Sequence, residues 1–274
     1  MRKSILAAIA LSLAVVGSAS AADLYTKAPP APPPPWWTGF YVGLNGGYSW
    51  GHANTNVGFF TSPGGVPIVP PVGSVTSAGY SVNGGVFGGQ LGYNWQSGSS
   101  FVLGIETDIQ WSGERGSANF LCAATANGGP CLPGLTFLPA GATGSALALQ
   151  TELQWFGTLR GRAGVLVTPT WLAYVTGGLA YGSIETNTAL AGFTPGGVAV
   201  AAAASNSTIR AGWTIGVGLE GQIAPQWTAK AEYLYMDLGS VSGTIVNTPA
   251  GIAANYSTSF TDNIFRVGIN YQFR

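Results

Sequence analysis

The chain has 274 residues, ten Lys and Arg against ten Asp and Glu, and a formal net charge of zero. Only 7% of its residues are charged, against roughly a quarter in ordinary soluble proteins, while Gly occupies 42 positions and aromatic residues make up 12%. That balance excludes a basic nucleic-acid surface and fits poorly with a surface wholly in water, and the length admits one large all-β domain or two ordinary ones.

In chain order, residues 1–21 read as a secretory signal peptide: Arg2 and Lys3, an apolar run from Ile5 to Val16, then Ala19-Ser20-Ala21. The run is shorter than the ~20 residues a membrane-spanning helix needs. Without Arg2 and Lys3 the chain carries 8 basic and 10 acidic side chains, a balance of −2. Residues 22–36 form a Pro-rich periplasmic leader, expected to be extended polyproline. Residues 37–274 form the remaining domain.

Eight strands are expected within it, at about 37–50, 80–95, 101–113, 151–167, 171–184, 208–222, 227–238 and 259–273. Their connectors alternate. QSGSS at 96–100, TPT at 168–170 and APQ at 224–226 are short, whereas about 51–79, 114–150, 185–207 and 239–258 are long. In an up-and-down barrel every other connector lies on the same side. Short periplasmic turns and long external loops are the pattern of outer-membrane barrels.

The strand faces point the same way. Phe40 and Trp50 bracket the apolar set of the first strand, Phe101 and Trp111 that of the third, and Trp171 and Tyr181 that of the fifth, each pair ten residues apart. Ten steps of ~3.3 Å, tilted by ~40°, cover about 25 Å, the height of the apolar band between aromatic girdles. The opposite faces hold the charges: Glu106 and Asp108; Glu152, Arg160 and Arg162; Arg210 and Glu220; Lys230 and Glu232; and Arg266. With Asp262 this makes six acids and five bases. They are expected to form a salt-bridge network in the lumen, because an Arg or Lys facing lipid near mid-membrane costs ~2–4 kcal/mol and an isolated buried charge is expensive. The fold class expected is therefore all-β, a transmembrane eight-stranded antiparallel up-and-down β-barrel.

Cys122 and Cys131 flank a Gly-containing stretch and are expected to form a small disulfide in an oxidising compartment. GVGLEG at 216–221 matches a dinucleotide fingerprint, but lies within an expected strand with no helix after it. His52, the only histidine, follows the first strand with Ser49 nearby, and no supporting acid spacing accompanies them. No cofactor or metal is expected.

ADLYTKAPP from Ala22, WTGFYVGLNGGYSWG from Trp37 and NIFRVGINYQF from Asn263 resemble the opacity-type outer-membrane β-barrel family of alphaproteobacteria. The resemblance covers the whole mature chain. It implies insertion by the outer-membrane machinery, with periplasmic chaperones as earlier partners, and residence among outer-membrane lipid and lipopolysaccharide. It also implies a C-terminal assembly signal, which maps onto Arg266, Gly268, Tyr271 and Phe273, after which the chain adds Arg274. The expected function is structural and surface-displaying: a barrel in the cell outer membrane that presents its loops to an extracellular ligand or host surface. A narrow or oligomeric pore for small solutes is the alternative, and a lipid-modifying enzyme using His52 the remote one.

Overall fold

The computed structural model describes residues 36–61, 67–68, 76–120, 147–193, 199–247 and 252–273. Alternating side chains, frequent Gly and turn residues at one end build one antiparallel sheet. Its strands are β1 (Gly39–Thr61), β2 (Pro67–Ile68), β3 (Ser77–Ser97), β4 (Phe101–Phe120), β5 (Leu147–Thr168), β6 (Trp171–Phe193), β7 (Ala199–Ala224), β8 (Trp227–Asn247) and β9 (Ile252–Gln272). β2 is a two-residue return paired with the far end of β1. The other eight form a ring in sequence order, closed by β1 against β9 from Tyr41↔Gln272 to Thr61↔Ile252. Closure satisfies the backbone without leaving an edge, as a wall in lipid requires.

The turns between β3 and β4, β5 and β6, and β7 and β8 are short and lie at one end. Gly98 serves the first of these at φ +65°, a left-handed conformation that a side chain would strain. The cysteines, the signal peptide and almost all of the leader lie outside the described residues.

The strands run farther than the apolar-outward alternation suggests. β1 continues for eleven residues beyond Trp50, so a large part of the wall stands above the girdle. The alternation does not stop there; it inverts. Below the girdle, β1 turns Phe40, Val42, Leu44, Tyr48 and Trp50 outward, and above it His52, Asn54 and Asn56. Inward, Tyr41, Asn45 and Ser49 give way to Ala53, Thr55 and Val57. β9 does the same: Phe265, Val267 and Ile269 face outward below, whereas Tyr256, Phe260 and Ile264 face inward above. The lower barrel is apolar outside, for lipid. The upper barrel is apolar inside, as in any sheet surrounded by water.

Outward aromatics mark the two borders. Tyr48–Trp50, Trp155–Tyr181 and Trp213–Tyr235 lie along the upper one, with ring centroids 5.2, 6.2 and 5.4 Å apart. Phe40–Tyr93 and Trp227–Tyr271 lie along the lower one, at 4.7 and 5.2 Å. Phe101, Trp111 and Trp171 are likewise exposed outward at these levels.

Candidate functional site: the packed lumen

The interior is filled from bottom to top. At the lower mouth Trp37 turns into the barrel and packs with Val102, Leu172 and Tyr174. Its indole Nε1 donates to Pro169 O at 3.3 Å, and its backbone N to Gln96 Oε1 at 3.3 Å, so it is fastened to two of the short turns.

Above this cap, eight charged side chains from five strands converge. Glu106 and Asp108 come from β4, Arg160 and Arg162 from β5, Glu220 from β7, Lys230 and Glu232 from β8, and Arg266 from β9, all buried. Arg160 bonds Glu232 Oε1 and Asp108 Oδ2 at 3.0 Å each, and also pairs with Glu106. Arg266 bonds Asp108 Oδ2 at 2.8 Å and Glu232 Oε2 at 2.6 Å. Lys230 Nζ lies 3.0 Å from both oxygens of Glu106. Arg162 reaches Glu220 Oε2 at 2.6 Å. The four acids and four bases cancel, so the layer is neutral.

Neutral donors complete the shell. Tyr41 Oη donates to Glu106 Oε2 at 2.7 Å, and Tyr174 Oη to Glu232 Oε1 at 3.0 Å. The Arg162 guanidinium stacks over Tyr174, 4.0 Å from the ring centroid. Both tyrosines lie over a cross-strand glycine. A Cβ on Gly92 would sit 2.3 Å from the Tyr41 hydroxyl, and one on Gly218 2.5 Å from that of Tyr174. Sequence reasoning missed these tyrosines; the signal was an aromatic on the charged face directly opposite a glycine. A second chain of polar groups crosses beside them: Asn45 to Gln90, Gln90 to Asn270 and Asn270 to Glu220, at 2.5, 2.5 and 2.8 Å.

Three charges expected in this network are elsewhere: Asp262, which is buried above the layer and in no ion pair among the described residues, Glu152 and Arg210. Glu152 faces outward, because a register irregularity between Leu153 and Trp155 shifts the alternation of β5. Above that irregularity Leu153, Thr151 and Leu149 point inward, and Glu152 pairs on the outer wall with Arg115 at 3.6 Å. Arg210 has the inward phase of Glu220 but sits ten residues higher on β7, opposite Gly182, and makes no ion pair among the described residues. Distance along the strand, not face, separates it from the acids.

Above the charged layer Val82, Val86, Leu153, Phe156, Ile184, Leu234, Met236, Leu238 and Phe260 form one apolar core. His52 is exposed on the outer wall, whereas Ser49 is buried on the inner one, so β1 itself lies between them. GVGLEG lies wholly in β7, with no helix following. In the C-terminal stretch, Arg266 belongs to the lumen network and Gly268 lies where a Cβ would approach Leu44 O to 2.8 Å. Tyr271 donates to Gln226 Oε1 at 2.9 Å, and Phe273 N to Phe40 O at 2.8 Å.

A family described as "Outer membrane protein beta-barrel domain" matches residues 8–273. The chain belongs to this outer-membrane β-barrel family. The 31 kDa outer-membrane immunogenic protein of Brucella melitensis is 36% identical over the full length of both chains. The 22 kDa outer membrane protein of Rhizobium leguminosarum is 26% identical, over 89% of this chain and 82% of its own. Among solved structures, OprG of Pseudomonas aeruginosa overlays with a TM-score of 0.48 at 10% identity, covering 86% of this chain and 97% of that one. The barrel is thus an alphaproteobacterial-type outer-membrane protein; its lower apolar wall is the surface that meets lipid, and the end with short turns is the periplasmic end.

Proposed function

We propose that this outer-membrane barrel is a closed structural wall that carries its upper strands and their connections clear of the lipid as a display surface. The observation that carries the reading is the filled interior: a neutral network of eight charges between an apolar cap and an apolar core. A solute path needs a continuous polar bore, and selective channels line theirs with one sign of charge. The Brucella relative's name as an immunogenic protein supports exposure at the cell surface. The test is single-channel recording of the refolded protein in a planar bilayer. A baseline without unitary steps is expected. Reproducible open-channel steps overturn the closed-wall reading and favour a pore.

A further inference from the structure

Two buried carboxyls stand apart from the network. Glu114 on β4 and Asp262 on β9 are both fully buried, above the charged layer and just beyond the Trp50–Trp111 level. Their side chains are in hydrogen-bonding contact with each other. Ser49 of β1 bonds Asp262 Oδ1 and also contacts Glu114. Ser112 Oγ donates to Glu114 Oε1 at 3.0 Å. Each carboxyl keeps one buried oxygen without a donor, Asp262 Oδ2 and Glu114 Oε2.

No described Lys, Arg or His forms an ion pair with either acid. The residues opposite them in register are Gly51 on β1, Leu153 on β5 and Met236 on β8, and on β3 Gly84 abuts the Glu114 backbone; none of these titrates. Deeper in the lumen the next charges on the same two strands are Asp108 and Arg266, which are bonded to each other at 2.8 Å. Arg115 is 69% exposed on the outer wall, where His52 also points, and Asp237 caps Gly239 N at 2.7 Å. The eight-charge network is already neutral, and Arg210, the remaining inward base, lies higher on β7 opposite Gly182 and makes no ion pair with either acid, so neither supplies this pair with a cation.

Two ionised carboxylates in contact, away from water and without a cation, repel strongly. One proton removes the conflict. A protonated carboxyl becomes an O–H donor, which supplies the hydrogen bond that the two orphaned oxygens lack, and the remaining charge is held by the serine hydroxyls. We infer that Glu114 and Asp262 share one proton at neutral pH and so clasp β4 to β9 across the upper lumen. The sign of the linkage follows. The folded pair keeps a proton at pH values where unfolded carboxyls have lost theirs, so the stabilisation is full in acid and declines as pH rises through the titration of the pair.

The test uses the refolded full barrel and the isosteric variants Asp262→Asn and Glu114→Gln. An amide carries a permanent donor in place of the shared proton. Each variant is expected to match the unaltered chain near neutral pH and to lose its alkaline decline in unfolding stability. Infrared spectra of the unaltered chain at neutral pH should show a protonated-carboxyl carbonyl band that Asp262→Asn removes. Because the other lumen carboxyls are ion-paired, the band on the unaltered chain decides the matter even where a variant fails to refold. Absence of that band, or a stability unchanged from neutral to alkaline pH, overturns the inference. So does a rise in neutral-pH stability on adding calcium or sodium chloride that both variants lack, which would make the pair's ligand a metal cation instead.

Discussion

Replacing Arg160 by Ala should destabilise the barrel by about 3 kcal/mol. Removing one member of a buried ion pair typically costs ~3–5 kcal/mol, mostly because the partner is left charged and dry. Arg160 contacts Glu106, Asp108 and Glu232 at once, and its Nε donates to Thr158 Oγ1 at 2.9 Å. Its loss leaves four acids facing three bases. Lys230 and Arg266 remain in place on the same three acids, which puts the expectation at the lower end of the range. Adding Asp108→Asn restores a neutral layer, so the double variant should lose less than the two single variants combined, by roughly 1–2 kcal/mol. Glu152→Ala is the control. Its Arg115 partner is 69% exposed at 3.6 Å, and such surface pairs contribute ~0–1 kcal/mol. The assay is equilibrium unfolding of the refolded protein in detergent, followed by tryptophan fluorescence. If Arg160→Ala costs no more than Glu152→Ala, or if Arg160 and Asp108 prove additive, the lumen layer is not the coupled unit described.

Phe260→Ala should cost ~3–5 kcal/mol in the same assay, because Phe260 is buried in the upper core, whereas Ser259→Ala next to it on the outer face should stay within ~0.5 kcal/mol. Phe273→Ala should lower the amount of protein recovered in the outer-membrane fraction by more than its folded-state contacts suggest, since that side chain is 51% exposed to lipid; equal recovery would remove it from the proposed assembly signal. Cys122 and Cys131 should resist alkylation until a reductant is added, and free reaction beforehand would exclude their disulfide.

The ring, its strand order and the face on which Glu106, Asp108, Arg160 and their partners lie are legible, because each rests on a pattern that lipid enforces. A charge on the lipid face is costly, so Glu106, Asp108, Arg160 and the others had one face available to them. Glu152 was not legible. The irregularity between Leu153 and Trp155 reverses the phase of β5, and no Gly or Pro in LQW announces it. Arg210 failed differently: its face was readable, but its height relative to the acids depended on how far β7 runs above the membrane. The Glu114–Asp262 contact joins strands that are not neighbours in the ring, and no local pattern reveals a meeting across a lumen.

The pattern that makes the lower halves of the strands legible conceals the upper halves. An apolar-outward alternation ends where lipid ends, and its disappearance looks like the end of the strand. In β9 the phase changes between Ile264, buried, and Phe265, 46% exposed, without a break in pairing to β1. In β3 it changes between Val86 and Phe87, and in β8 Leu234, Met236 and Leu238 turn inward beside outward Tyr233. Each change leaves a doublet of adjacent apolar residues, one for lipid and one for the upper core. Such a doublet is what one strand must show if it passes from a solvent of hydrocarbon to a solvent of water, because its backbone keeps the same period of two while the favourable side for apolar groups exchanges. On the proposed closed-wall reading, the inversion is also what shuts the barrel. Below the doublets the inward face is mainly polar and packs by pairing four acids with four bases over an apolar cap; above them it is mainly apolar and packs by excluding water, the Glu114–Asp262 pair apart. Opening the first kind of closure requires a compensating charge and opening the second requires a cavity, so no single substitution should convert this wall into a pore.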